Sequence, residues 1–261
     1  MNRVTREIAT WGTEIFIDAS SNRLEKAEIN RVIAGVEAFL FDVDDELSTY
    51  KESSSVTKLR QNKLKIEDAP EMVQEVWRGC VAARELSFGA FDPWAVEGGF
   101  DPSGYVKGWA AQKAANMLVA AGCESVQVNA AGDIALRGGT DGGPWKIGVI
   151  NPDNKSEIVQ VFEIMDGNIA TSGHYEKGAH IKDPHTGVIA IGAKSGTVIG
   201  PDGGLCDAFA TALMVDGIDA AQWIGNPELS AYTFWAINRH ASEIDGKLTA
   251  WSHGPNLGNN Q

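Results

Sequence analysis

Residues 107–136 read KGWAAQKAANMLVAAGCESVQVNAAGDIAL, and two structural periods meet inside this stretch. From Lys107 to Ala121 good helix formers run without a proline, and Gly122 stands where a left-handed residue closes a helix. After Gly122 the pattern changes to short β-prone runs, VQVN at 126–129 and IAL at 134–136, followed by WKIGVI at 145–150 and IVQVFEI at 158–164. Clusters of Gly, Asn, Asp and Pro separate these runs. The spacing predicts a helix that feeds a meander of antiparallel strands.

Working outward, Leu24, Ile29, Val32, Val36, Phe39 and Leu40 recur at helical spacing, which predicts an amphipathic helix over 22–41 entered through Ser21. Asp68-Ala69-Pro70 opens a second helix that carries Val73, Val76, Trp77, Cys80 and Val81 inward. A further helix is expected from Asp207 to about Val215, stopped at Gly217, with YTFWAI at 232–237 as a late buried strand. Strands grouped together, with helices segregated from them, indicate an α+β fold rather than a βαβ repeat. No linker-like segment divides the 261 residues, so residues 1–261 are expected to form one domain.

The formal net charge is −13, which removes any general attraction to nucleic acid or anionic lipid. An acidic protein that handles a phosphate ligand needs local help from main-chain N–H groups, a placed lysine or a divalent metal. The N-terminal MNRVTREIATWGTEIFID lacks the apolar run of a signal peptide, and no segment is apolar enough for a membrane span. Cys80, Cys123 and Cys206 are scattered and form no Cys-x-x-Cys pair. A cytoplasmic, disulfide-free protein is the expectation.

Chemically useful side chains gather around apparent turns: FDP at 91–93, DPSGYVKG at 101–108, NAAGD at 129–133, TSG at 171–173, HIKDPHTG at 180–187 and CDAFAT at 206–211. Asp207 and Thr211 are four residues apart at a helix start and share a face, presenting two hard oxygen ligands of the kind Mg²⁺ takes. A carboxylate that complements the helix dipole beside a threonine that packs is the plainer reading, and spacing alone favours it. His180, with Asp183 three residues on, is either a general base or a solvent histidine in a turn. Gly104 and Lys107 have the wrong spacing for a Walker loop, no Ser or Thr follows the lysine, and GxGxxG is absent.

In order, the segments are WGT at 11–13, LSTYKESS at 47–54 with Leu59 downstream, GAFDP at 89–93, DPSGYVKGWA at 101–110, VNAAGD at 128–133, IATSGHYEKGAHIKDPHTG at 169–187 and CDAFATAL at 206–213. This series closely resembles the ApbE family, the Mg²⁺-dependent FAD:protein FMN transferases. The resemblance implies a two-lobed α+β fold of antiparallel sheets and flanking helices, with FAD as substrate in a central cleft and Mg²⁺ at its diphosphate. It implies that FMN is attached through a phosphoester to a Ser or Thr hydroxyl of an acceptor flavoprotein, with AMP released. By the matching motifs, Asp207, Thr211 and the main-chain carbonyl of Gly104 would hold the metal, and His180 would be the catalytic base. Trp11, Tyr50, Ala90, Phe91, Asp92, Asp101, Lys107 and Ile181 would contact FAD. An FAD diphosphatase, with water as acceptor, and a non-catalytic FAD-binding protein are the alternatives.

Several residues depart from the family pattern. Ala131 replaces a usual glycine, Arg60 a usual asparagine and Trp11 a usual methionine, and the connection from Phe91 to Asp101 is short. If the missing glycine serves a left-handed backbone, Ala131 carries a cost.

Overall fold

The computed structural model describes residues 1–173, 181–240 and 248–255. The chain opens with a hairpin, β1 (Asn2–Thr10) and β2 (Thr13–Ser21), followed by α1 (Lys26–Leu47), α2 (Ser55–Arg60), α3 (Glu71–Leu86) and α4 (Ser103–Ala120). Six strands follow: β3 (Ser125–Ala130), β4 (Asp133–Arg137), β5 (Trp145–Asn151), β6 (Asn154–Ile164), β7 (Gly167–Gly173) and β8 (Ala193–Gly200). Next come α5 (Gly203–Asp216), the short α6 (Ala221–Ile224), β9 (Thr233–Asn238) and β10 (Ala250–His253). Among the described residues no helix is long and apolar enough to cross a membrane.

Eight strands form one sheet in the order β1-β2-β3-β4-β7-β8-β9-β10, every neighbouring pair antiparallel. Alternation along the strands gives the sheet two apolar faces. Ala135, Ala170, Val198, Phe234 and Ala236 join the main core beneath α1, α4 and α5, while Ile134, Leu136, Ile169, Ile199, Trp235 and Ile237 point the other way. That second face explains why β5 and β6 leave the expected meander. They form a separate two-stranded sheet that lays Trp145, Val149, Phe162 and Ile164 over it.

Three helix starts differ from the sequence expectation. Ser21 ends β2, and its hydroxyl accepts the N–H groups of Arg23 and Leu24; α1 is entered at Glu25, whose reciprocal capping box with Glu28 sets the first turn. It also runs on to Leu47. Both α4 and α5 begin four residues before the expected Lys107 and Asp207. Asp202 caps α5 by accepting the Leu205 N–H at 2.8 Å. The expected turn at 171–173 is the end of β7.

Small residues let α4 and α5 touch backbone to backbone. A Cβ on Gly108 would lie 2.0 Å from the Gly203 carbonyl oxygen, and one on Gly203 would lie 2.3 Å from that of Gly108. No side chain fits between them. This crossing brings the first turns of α4 against α5.

Candidate active site

The site forms at one end of the large sheet. The β1–β2 turn at Trp11-Gly12 and the β3–β4 turn at Ala131-Gly132 project from the same end, because Ile15 pairs with Ala130. Since Ile134 pairs with Ile169, the end of β7 at Ser172 and Gly173 runs past the Ala131-Gly132 tip. The start of α4 and the middle of α5 close over this edge.

Gly104 is the key to the local backbone. Its ψ of +20° breaks the regular helix inside the first turn of α4. The N–H of Gly108, which a regular helix would direct at the Gly104 carbonyl, reaches Asp207 Oδ2 at 3.3 Å. A Cβ on Gly104 would stand 3.3 Å from Thr211 Oγ1 and 3.2 Å from the Phe91 ring. The Thr211 hydroxyl therefore stands against Gly104, and the buried Asp207 carboxylate against the Gly108 N–H one turn later, at the helix crossing. Their donor atoms are hard oxygens, which suit Mg²⁺ while leaving the rest of its shell to water or phosphate. Among the described residues no group of three or more His, Cys, Asp or Glu side chains is placed to hold a metal.

Lys107, three residues on from Gly104 in α4, forms an ion pair with Asp133, the first residue of β4, which is 2% exposed. Asp133 is a site residue that sequence spacing did not single out, because it lies 26 positions from Lys107. The signal available was its place at the end of the NAAGD segment. In the turn before it, Ala131 has φ of +53° and Gly132 +96°, and the Asn129 side chain accepts the Gly132 N–H at 2.8 Å. Ala131 thus occupies the left-handed backbone in which glycine is unstrained.

Burial, then nearby carboxylates, pushes the thiols of Cys80 and Cys206 well above their ordinary range. Asp207 and Asp101 act on the first; Asp202, Asp133 and Asp207 act on the second. Both thiols stay protonated and serve packing.

The other expected contacts fall into two groups. Phe91 is buried against Gly104, and Ala90 is buried beside it. Asp101 sits at the mouth of α4, accepting the Ser103 N–H at 2.9 Å. Ile181 packs at the edge of the main core, and Trp11, with φ of +55°, donates its indole N–H to the Leu40 carbonyl at 3.0 Å. Asp92, by contrast, accepts hydrogen bonds from Arg84 in the last turn of α3 at 2.7 Å and from the Trp94 N–H of its own loop at 2.8 Å. Tyr50 is 95% exposed in the bend after α1. Arg60 clasps the short connection, donating to the carbonyls of Glu97 at 2.9 Å and Gly98 at 3.1 Å. His180 lies outside the described residues.

Comparison with known proteins gives this arrangement a context. The sequence model of the ApbE family matches residues 95–233. An FAD:protein FMN transferase of Vibrio cholerae is 35% identical over 128 residues, covering 45% of this chain and 38% of the relative. One from Rhodobacter capsulatus is 30% identical over 191 residues, covering 70% of this chain and 34% of the relative. The matched stretches thus span little more than a third of these relatives' own lengths. Among solved structures, the flavin transferase ApbE of Vibrio cholerae superposes with a TM-score of 0.82 at 22% identity, covering 96% of this chain and 97% of that one. The apo flavinyl transferase ApbE of Pseudomonas stutzeri gives 0.77 at 21% identity, covering 97% and 95%. Both share the fold of antiparallel sheet and flanking helices, and with more than half of its length matched by the family's sequence model, this chain belongs to the ApbE family.

Proposed function

We propose that the protein transfers the FMN half of FAD to a Ser or Thr hydroxyl of an acceptor flavoprotein, with Mg²⁺ as cofactor. The observation that carries this reading is the approach of Thr211 to Gly104 and of Asp207 to the Gly108 N–H, with Lys107 between them on α4, in a chain of this family. Asp207, Thr211 and the Gly104 carbonyl would hold the ion. When bound, Mg²⁺ would offset the charge of the FAD diphosphate and polarise the phosphorus under attack.

The chain's own groups account for the remaining roles. Lys107, held in place by its ion pair with Asp133, would face the negative diphosphate across the mouth of α4. Trp11 would offer apolar surface, with the buried Phe91 supporting the Gly104 turn; Asp101 and Ile181 would border the entrance, and the exposed Tyr50 would supply a ring to the flavin or adenine. We assign His180 as the base that takes the acceptor hydroxyl's proton. The acceptor oxygen then bonds to the phosphorus of the FMN half as the bridging P–O bond breaks, and AMP departs. The engagement of Asp92 by Arg84 and Trp94 leaves it as a support for the Ala90-Phe91 loop.

Buried free thiols at Cys80, Cys123 and Cys206 suit a reducing compartment, which supports a cytoplasmic site of action. AMP release from FAD with Mg²⁺ and a peptide carrying an acceptor motif of the Asp-Gly-x-Ser/Thr-Gly-Ala-Thr kind, which the family resemblance implies, tests the assignment. Asp207→Asn should lower turnover by on the order of 10²-fold, and unchanged turnover would overturn the metal-ligand role.

A further inference from the structure

We propose that Ser172 is a positioning residue for the cation site, fixing the direction in which the Thr211 hydroxyl points its proton. The inference rests on the metal-ligand reading of Thr211 and adds a residue to it. Ser172 Oγ lies 3.2 Å from Thr211 Oγ1.

The contact follows from how β7 and α5 run together. Ala170 faces the main core and Ile169 the opposite cluster, so alternation puts Asn168 and Ser172 on the side of α5. At one end Asn168 holds the entry to α5, donating to the carbonyls of Gly200 at 3.2 Å and Pro201 at 3.0 Å, with its Oδ1 3.3 Å from where a Cβ on Gly203 would stand. From Asn168 to Ser172 the strand advances about 13 Å. From Gly203 to Thr211 the helix advances about 12 Å. Strand and helix stay in step, so Ser172 arrives opposite Thr211. Thr171, on the other face, is instead paired with Thr197 at 2.9 Å.

A threonine hydroxyl has one proton and two lone pairs. To ligate a cation it must present a lone pair and send its proton elsewhere. Ser172 Oγ is an acceptor for that proton on the side of β7, which leaves the lone pairs to face Gly104 and Asp207. Without it, the hydroxyl rotor must be fixed at the cost of ion affinity.

Mn²⁺ binding in the presence of FAD, followed by the spectrum of free Mn²⁺, tests this with wild type, Ser172→Ala, Ser172→Thr, Thr211→Ala and the Ser172→Ala/Thr211→Ala double variant. A thermal melt of each confirms folding. Ser172→Ala should weaken Mn²⁺ about 10-fold, the lower end for partners of metal ligands. Ser172→Thr should restore affinity, and Ser172→Ala should add nothing once Thr211 is already alanine. If Thr211→Ala weakens binding while Ser172→Ala does not, the positioning role is wrong and the cation site stands. An equal loss from Ser172→Ala in both backgrounds also overturns it, since the effect would not pass through Thr211. If Thr211→Ala binds Mn²⁺ as wild type does, the cation site itself falls, and this role with it.

Discussion

Replacing Gly108 with alanine would separate the two helices on which the site is built. Helix propensity alone predicts the opposite of harm, since alanine exceeds glycine by about 0.5–1 kcal/mol inside a helix. The crossing reverses that sign. A Cβ at 108 would lie 2.0 Å from the Gly203 carbonyl oxygen and 2.7 Å from its carbon. Ordinary carbon–oxygen contact begins near about 3.3 Å, so α4 and α5 must part by roughly 1.3 Å. Both clashing groups belong to main chains, and no flexible side chain can yield. Overpacking of this kind costs about 1–3 kcal/mol, and with backbone on both sides the upper part of that range applies. After the propensity gain, a net loss of about 1–2 kcal/mol remains, which for a chain of this size lowers Tm by roughly 2–8 °C. Because the same displacement draws Gly104 away from Thr211, Mn²⁺ affinity should fall together with stability. Urea and thermal melts with parallel Mn²⁺ titrations read both effects. Wild-type or greater stability would refute the crossing as the organiser of the site.

Three other perturbations probe separate parts of the account. Ala131→Gly releases a left-handed alanine worth about 1–2 kcal/mol but gives back about 0.4–1 through the unfolded chain, so a urea melt should show a gain of about 0.5–1 kcal/mol. Lys107→Met removes the charge held by Asp133 while keeping the aliphatic stem, and AMP release from FAD should fall on the order of 10²-fold. Burial pushes the Asp202 carboxyl above its ordinary range, against the pull of the Leu205 and Gly204 N–H groups, so its ionisation opposes folding. Stability from this group is therefore greatest at or below the unfolded value near about pH 3.9 and declines as pH rises through the elevated folded value. Asp202→Asn keeps a capping oxygen without the charge; melts should find it more stable than wild type at about pH 7, with the difference shrinking toward about pH 4.

Periodicity revealed the helices wherever one face is apolar over several turns, as in α1 with Ile29, Ile33, Val36 and Leu40, and in α3. It failed at the first turns of α4 and α5. There Gly104, Gly203 and Gly204 look like loop residues, yet they are set by a helix crossing that local pattern does not encode. The strands β7 and β8 were hidden for a related reason. Gly196 and Ser172 are small because α5 lies directly on them: a Cβ on Gly196 would come within 2.7 Å of the Leu213 Cβ, and Ser172 Oγ meets Thr211. β1 was obscured by the charged residues Arg3, Arg6 and Glu7 on an edge strand, where such charges discourage further pairing.

Within the site, the spacing of Asp207 and Thr211 was legible as a pair, while the proposed metal-ligand reading of it needed the rest of the motif order. The helix crossing then adds what spacing lacked, the approach of Gly104 to Thr211 and of Asp207 to the Gly108 N–H. The pairing of Asp133 with Lys107 and of Ser172 with Thr211 could not be read from spacing, because each joins a strand to a helix far away along the chain. Asp92, a motif position that the resemblance gives to the nucleotide, also accepts hydrogen bonds from Arg84 and the Trp94 N–H, partners that spacing did not indicate.

The central claim is best tested by the mass of a synthetic peptide carrying an Asp-Gly-x-Thr-Gly-Ala-Thr segment after incubation with this protein, FAD and Mg²⁺. The account predicts a gain equal to FMN less one water, located on the hydroxyl residue, with one AMP released per modified peptide and no gain when Mg²⁺ is chelated. An unmodified peptide with FMN and AMP accumulating in solution would contradict it and identify water as the acceptor.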